Sequence, residues 1–380
     1  MKITVLGRGN AGCLTALHFH YFSQFVKDNI EVELIYDSKT PTLTVGQATT
    51  LVLPPLIWQA LGTDYYTNSN DLDYTMKTGI MYEDWGKYND KIFHPFSLGS
   101  YALHYDTQKF QNHIINNLDF KVKVVDNYVE DYNKIDSDYI FDCRGWPKDF
   151  SNYDKLINPL NAVVCANIEK KDCEVDWTRA VATPDGWCFY IPLYDTVSLG
   201  YMYNSEITTK ENATKNFKNL FNIDNIRESF PFKQYISKTP IIDERVILNG
   251  NMLFFLEPLE STSVATYIYW NRIMWDCLIN KRWDMKFATN HIKDYTQKVQ
   301  NFILWHYADG SKYDSSFWTY AKNLSKDVIN DKHFNDILQY SLSKNPSVLR
   351  NFEYERNNDL YSQWQPWSFR VWYDGVTKKL

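Results

Sequence analysis

Lys2-Ile-Thr-Val-Leu-Gly-Arg-Gly-Asn-Ala-Gly12 is the stretch that decides the fold. Lys2 to Leu6 is a short apolar run, and Leu14, Ala16, Leu17, Phe19 and Phe22 follow the glycines at helical spacing. The order is strand, tight turn, helix. Gly7 suits the turn, Gly9 the close approach of a pyrophosphate and Gly12 the packing of helix on strand, with Asn10 and Ala11 between them. A second apolar run, Glu31 to Tyr36, ends at Asp37, 25 residues beyond Gly12, where such folds place an acid on a ribose hydroxyl. The phosphates would then meet the free amides of the helix N-terminus. The pattern predicts a dinucleotide-binding α/β unit.

The rest of the 380 residues narrows the class. A net charge of -6 provides no basic footprint, so nucleic acid is not an expected partner. Aromatic residues make up 17%, enough to build a core and still line a ligand site. The first strand starts beside Met1 and no apolar run is long enough to span a bilayer, so we expect a cytoplasmic protein without a membrane partner. Cys13, Cys143, Cys165, Cys173, Cys188 and Cys277 lack metal-binding or disulfide-framework spacing, and no metal site is expected.

Asp106 is placed to cap a helix over Thr107 to Leu118, followed by β-rich sequence from Phe120 to Tyr132. Tyr139 to Gly145 reads as a strand returning to the first sheet. Short alternating runs between about 160 and 255, including Trp187 to Leu193 and Val197 to Tyr203, predict a mostly antiparallel sheet. After about Val264 the pattern turns helical, with Ile292, Tyr295, Val299 and Phe302 on one face. The expected division is a discontinuous nucleotide module of residues 1–160 and 240–275, a β region of 161–239 and a helical region of 276–380.

Several ordered blocks resemble the tryptophan halogenase family of flavin-dependent halogenases. Gly7 to Gly12 is similar to the FAD fingerprint, Val45-Gly-Gln-Ala-Thr49 to a VGEAT loop, and Met76-Lys-Thr-Gly-Ile80 with Trp85 to the family's lysine segment. Asp142-Cys-Arg-Gly145 resembles a DCSG turn, Gly186 to Leu193 a GWxWxIPL strand followed by Gly200-Tyr-Met-Tyr203, and Phe255 to Thr262 reads FLEPLEST. Phe302 to Tyr307 with Asp314 to Trp318 is similar to the later FIxxHY and FW block. The fold this implies is α/β: a FAD-binding Rossmann-like domain of glutathione-reductase type, interrupted by a mostly antiparallel β region, with a helical C-terminal substrate region.

The resemblance further implies that FADH2, oxygen and a halide (chloride, bromide or iodide) yield hypohalous acid, which reaches an electron-rich indole, phenol or pyrrole. Reduced flavin would come from a separate flavin reductase. Lys77 and Glu260 are the implied catalytic residues, and the backbone amides of Thr262 and Ser263 the implied halide site. Gly7, Gly9, Asn10, Ala11, Gly12, Asp37, Gln47, Ala48, Val129, Asn251 and Val264 are implied around FAD, with Trp187, Phe189 and Pro192 as a tunnel wall. Lys77 would hydrogen-bond the oxidant as an ammonium or carry the halogen as an amine, and Glu260 would orient the oxidant or take the arene proton. Spacing alone reads Trp187 and Phe189 as core aromatics and leaves His306 outside the catalytic set. Trp364, Trp367, Trp372 and Tyr373 read as anchors of the C-terminal segment.

Three departures bear on this expectation. Gln47 stands where the resembling loop carries a glutamate, Phe189 replaces a tryptophan, and Ser263 occupies a position often held by glycine, where a positive φ would strain it. A flavin monooxygenase that inserts oxygen directly, and a flavin-binding protein that has lost catalysis, are the competing expectations.

Overall fold

The computed structural model describes residues 1–41, 45–97, 99–118, 122–170, 175–350 and 361–379. Cys173 and Phe120 lie outside these residues. The chain forms two compact units, one of residues 1–75, 102–155 and 235–294, the other of 76–101, 156–234 and 295–380. This division differs from the one expected from sequence. Residues 76–101 leave the nucleotide segment, and residues 276–294 stay with it.

The first unit is built on six strands in the order Ile241–Ile242, Val246–Leu248, Tyr139–Asp142, Lys2–Leu6, Glu31–Tyr36 and Lys123–Asp126. Apart from the outer hairpin of Ile241–Ile242 on Val246–Leu248, all neighbours are parallel. The predicted strands at Lys2 and Glu31 keep their limits, while the third ends at Asp142 because Gly145 turns to φ +93. The helix Asn10–Ser23 packs against the helices Thr107–Leu118 and Thr262–Leu278. Asp106 does cap the Thr107 helix, accepting from the Lys109 amide at 2.8 Å. Asn249 links the other two helices: its buried Nδ2 donates to Thr15 Oγ1 and to Asn271 Oδ1, each at 3.0 Å. A buried amide that donates to both helices fixes them, at Thr15 and Asn271, to the end of the strand Val246–Leu248.

Among the buried polar groups of this unit that lack a hydrogen-bond partner is His18, whose titration has a consequence for stability. His18 is 2% exposed, wedged beside Phe19, Phe22 and Trp275, and neither ring nitrogen has a hydrogen-bond partner. Burial, and then the nearby Arg272 charge, pull its pKa from 6.5 down to about 3. Because the folded value lies below the unfolded one, the unfolded chain binds the proton first. Stability from this group is therefore whole above pH 6.5 and is lost as pH falls, by about 2 kcal/mol at pH 5. His18→Phe should flatten that slope. Thermal melts of both proteins from pH 8 to pH 5 check this, and parallel falls in Tm would absolve His18.

The second unit holds a seven-stranded sheet ordered Glu228–Pro231, Ala162–Glu169, Thr196–Tyr203, Gly186–Pro192, Thr178–Thr183, Gly79–Glu83 and Lys91–Pro95. It is antiparallel except where Thr178–Thr183 runs parallel to Gly79–Glu83. The helix Met285–Ala308 carries the chain from one unit to the other, and Ile292, Tyr295, Val299 and Phe302 are buried along it as predicted. Trp364 stacks on Phe302 at 4.0 Å and Trp372 lies 4.1 Å from the His306 ring, so both anchor the C-terminal segment. The His306 Nδ1 and the Phe302 carbonyl lie 2.8 Å apart, which satisfies a wholly buried ring. Among the described residues, no helix is long and apolar enough to cross a membrane.

Candidate active site

The fingerprint turn separates the three glycines by role. Gly7 has φ +102, and a Cβ there would lie 2.6 Å from the Cys143 carbonyl oxygen. At Gly12 a Cβ would lie 1.8 Å from the Gly7 oxygen, so only hydrogen fits. Gly9 is different: nothing lies within 4 Å of the Cβ it lacks. It caps the helix in extended conformation without a side-chain cap, and the first helical bond is from the Cys13 amide to the Gly9 carbonyl at 3.0 Å. The amides of Asn10, Ala11 and Gly12 therefore have no partner within the helix, and the space beside Gly9 at its start is open. Such a cradle fits the pyrophosphate of a dinucleotide such as FAD.

Around the cradle, Asn10 Oδ1 accepts from Gln111 Nε2 at 3.0 Å. A Cβ on Gly250 would reach 2.6 Å from that of Ala11, so the turn containing Asn251 packs closely against the helix. Asp37 is at the end of its strand, where its two oxygens accept from the Lys39 amide and the Thr40 hydroxyl at 2.9 and 3.0 Å. Each oxygen keeps a lone pair for a ribose hydroxyl. Val129 is half-buried and its carbonyl accepts from Arg144 Nη1 at 2.5 Å. Gln47 and Ala48 lie on the strand Gly46–Ala48, antiparallel to Ala102–Asp106, with Gln47 opposite Tyr105.

Glu260 is 4% exposed and sits in a turn closed by the Ser261 amide on the Pro258 carbonyl at 2.9 Å. The helix begins at Thr262, which corrects the expected strain at Ser263. Ser261 carries the left-handed backbone, with φ 56 and ψ 34, while Ser263 lies in the first helical turn. A serine in that region costs about 1 kcal/mol or more. Thr262, Ser263 and Val264 hold the first three helical positions, whose amides are left without partners inside the helix. The Thr262 hydroxyl is wholly buried and has no hydrogen-bond partner. Burial pushes the Tyr267 phenol up to about 12, opposed by a hydrogen bond with the Ser263 side chain.

In the second unit, Lys77 ends the strand Thr75–Lys77 with 0% exposure, its Nζ 5.5 Å over the Phe96 ring. Thr78 fixes the chain just beyond, its amide and hydroxyl donating to the Asp176 carbonyl at 2.6 and 2.7 Å. Trp187 and Phe189 are buried and meet edge to face at 6.3 Å, and Pro192 closes their strand. Phe189 lies opposite Gly200, where a Cβ would come within 2.1 Å of its ring. The glycine is therefore the floor on which this aromatic lies. Lys77 and these three wall residues belong to the second unit; Glu260, Thr262, Ser263 and every cofactor residue predicted from sequence belong to the first.

Among the described residues no cluster of side chains is arranged to hold a metal ion, and the five described cysteines are free. The first unit thus has the class of fold that carries dinucleotides, a parallel sheet with a glycine turn at the carboxyl end of its first strand. The chain belongs to the tryptophan halogenase family, whose profile matches residues 2–132 and 122–333. It is 25% identical over 158 residues to the tryptophan 7-halogenase KtzQ of Kutzneria sp. (strain 744), covering 39% of this chain and 29% of that protein. With the tryptophan 6-halogenase ThaL of Streptomyces albogriseolus it shares 23% over 184 residues, 47% and 34% of the two chains. The aligned part thus spans about a third of the length of these curated relatives. Solved structures with the same fold include the tryptophan 5-halogenase MibH, with TM-score 0.81, 18% identity and coverage of 99% and 86%. The flavin-dependent halogenase BrvH of Brevundimonas sp. BAL3 gives 0.76, 18%, 99% and 89%.

Proposed function

We propose that the protein is a two-component, FADH2-dependent halogenase that acts in the cytoplasm on an electron-rich aromatic compound, an indole, phenol or pyrrole. The observation that carries this reading is the complete burial of Lys77 in a chain of the tryptophan halogenase family. Lysine is among the residues least often found fully buried. When bound, reduced flavin supplies, with oxygen, the two electrons' worth of oxidising power that converts a halide to hypohalous acid. A separate flavin reductase delivers it.

The chain's own groups do the rest. The amides at the Asn10 helix hold the pyrophosphate, Asp37 takes the ribose, and Gln47, Ala48, Val129, Asn251 and Val264 complete the cofactor contacts. Gln47 contributes no charge, so the halide meets no carboxylate from this residue. The amides of Thr262 and Ser263 hold the halide through the positive end of their helix. Lys77 Nζ binds the hypohalous oxygen or carries the halogen, and Trp187, Phe189 and Pro192 keep bulk water from the oxidant. A ring carbon then forms its bond to halogen as the oxygen–halogen bond breaks, the Lys77 ammonium gives the departing hydroxide the proton that makes it water, and a Glu260 oxygen takes the ring proton.

Mass spectrometry of indoles, phenols and pyrroles incubated with the protein, FAD, a flavin reductase, NADH, oxygen and each halide tests this reading. A halide-specific mass gain is the expected result. Gain of a single oxygen without halide would instead identify a monooxygenase.

A further inference from the structure

Arg144 has no role in the reading above, yet its surroundings are too specific for a surface arginine. The strand Tyr139–Asp142 runs beside Lys2–Leu6 with Asp142 level with Leu6, so the next residues lie against the fingerprint turn. A Cβ on Gly7 would come within 3.1 Å of the Arg144 Cα. From there the guanidinium grips Asp142 with both arms of its fork, Nε to Oδ1 at 2.9 Å and Nη2 to Oδ2 at 2.8 Å. Its Nη1 donates to the Val129 carbonyl at 2.5 Å, and its carbon lies 5.1 Å from the Tyr132 ring. Tyr132 in turn donates its hydroxyl to Asp142 Oδ2 at 2.5 Å, and Asp142 is wholly buried.

These bonds tie down one stretch of chain. The residues after the edge strand Lys123–Asp126 are held at Val129 and Tyr132 by Arg144 and Asp142, and at Ile135 and Ser137 by Arg245, through their carbonyls at 2.6 and 3.2 Å. In an open parallel sheet, ligands bind outside the carboxyl ends of the strands, with pyrophosphate at the first turn and ribose at the acid after the second. Lys123–Asp126 neighbours that second strand, so the pinned stretch starts on the ribose side of the crevice. Three of the five guanidinium N–H groups are engaged, and 28% of the side chain remains accessible to a ligand. A serine, as in the DCSG turn that this sequence resembles, is too short for this clamp.

We propose that Arg144 is a positioning residue for the adenosine half of the cofactor, fixing Val129 to Ile135 as one wall of its crevice. This rests on the reading of the Gly7 to Gly12 turn as a FAD site. The test is equilibrium binding of oxidised FAD, ADP and FMN to the wild type and to Arg144→Ser, Arg144→Lys and Tyr132→Phe, with thermal melts alongside. Arg144→Ser should weaken FAD and ADP by about ten- to a hundredfold and leave FMN unchanged, because FMN lacks adenosine. Arg144→Lys should recover little, since an ammonium cannot reproduce the fork. Tyr132→Phe, which keeps the fork and the ring, should lose less and serves if the serine variant does not fold. A folded Arg144→Ser protein that binds ADP as the wild type does, or that loses FMN and ADP alike, overturns the assignment. Failure of the wild type itself to bind FAD or ADP would instead remove the cofactor reading on which the assignment rests.

Discussion

Lys77→Ala protein should bind FAD as tightly as the wild type and release no halogenated product. The side chain is wholly buried, and its proposed partner is the oxidant rather than the flavin. Removal of a group that holds a reacting atom costs about a thousandfold or more in rate. Because alanine also leaves a cavity at the end of the strand Thr75–Lys77, Lys77→Met is the companion variant, matching the length without the amine. Both should consume reduced flavin and oxygen without incorporating halide. Halogenation by the methionine variant at the wild-type rate would remove Lys77 from the chemistry, whatever the alanine variant did.

The second large effect separates two glycines three residues apart. Gly9→Val places two methyl groups in open space beside three unpaired amides, so the protein should fold and melt normally yet lose FAD affinity by about a hundredfold. Gly12→Ala should do the reverse. Its Cβ would meet the Gly7 carbonyl at 1.8 Å, a clash the backbone relieves only by parting strand from helix, and soluble folded protein should not be recovered. Soluble yield of both variants, with calorimetry and FAD titration of the one recovered, provides the check. A Gly9→Val protein that binds FAD normally would mean the pyrophosphate does not lie at this turn.

These contrasts show where the sequence was readable. The strand, turn and helix around Gly7 to Gly12 are local, so spacing alone predicted their order, the tight turn at Gly7 and the close packing at Gly12. Lys77 was readable only through its resemblance, because Met76-Lys-Thr carries no pattern that distinguishes a buried lysine from a solvated one. The strained serine was misplaced by two residues: the Pro258 to Ser261 turn, closed by one backbone bond, decides which residue turns left-handed. Phe189 over Gly200 had a signal that went unused. A tight hairpin through Leu193 and Thr196 makes paired numbers sum to 389, and 189 with 200 satisfies that sum. The Arg144 clamp had none, since its grip on Val129 reaches across 15 residues and depends on where a separate edge strand ends.

The interleaving of the two units has a consequence for how the protein is made. Lys2–Leu6 leaves the ribosome more than 130 residues ahead of its neighbour Tyr139–Asp142, and the first unit is complete only at Asp294. At about 5–20 residues per second, the opening strand waits for about 15–60 s before its unit can close. During that time Ile3, Val5 and Leu6, all destined for the core, are exposed to any passing chain. Yield in a foreign host should therefore depend on chaperone capacity and on slow synthesis at low temperature more than on the stability of the finished fold.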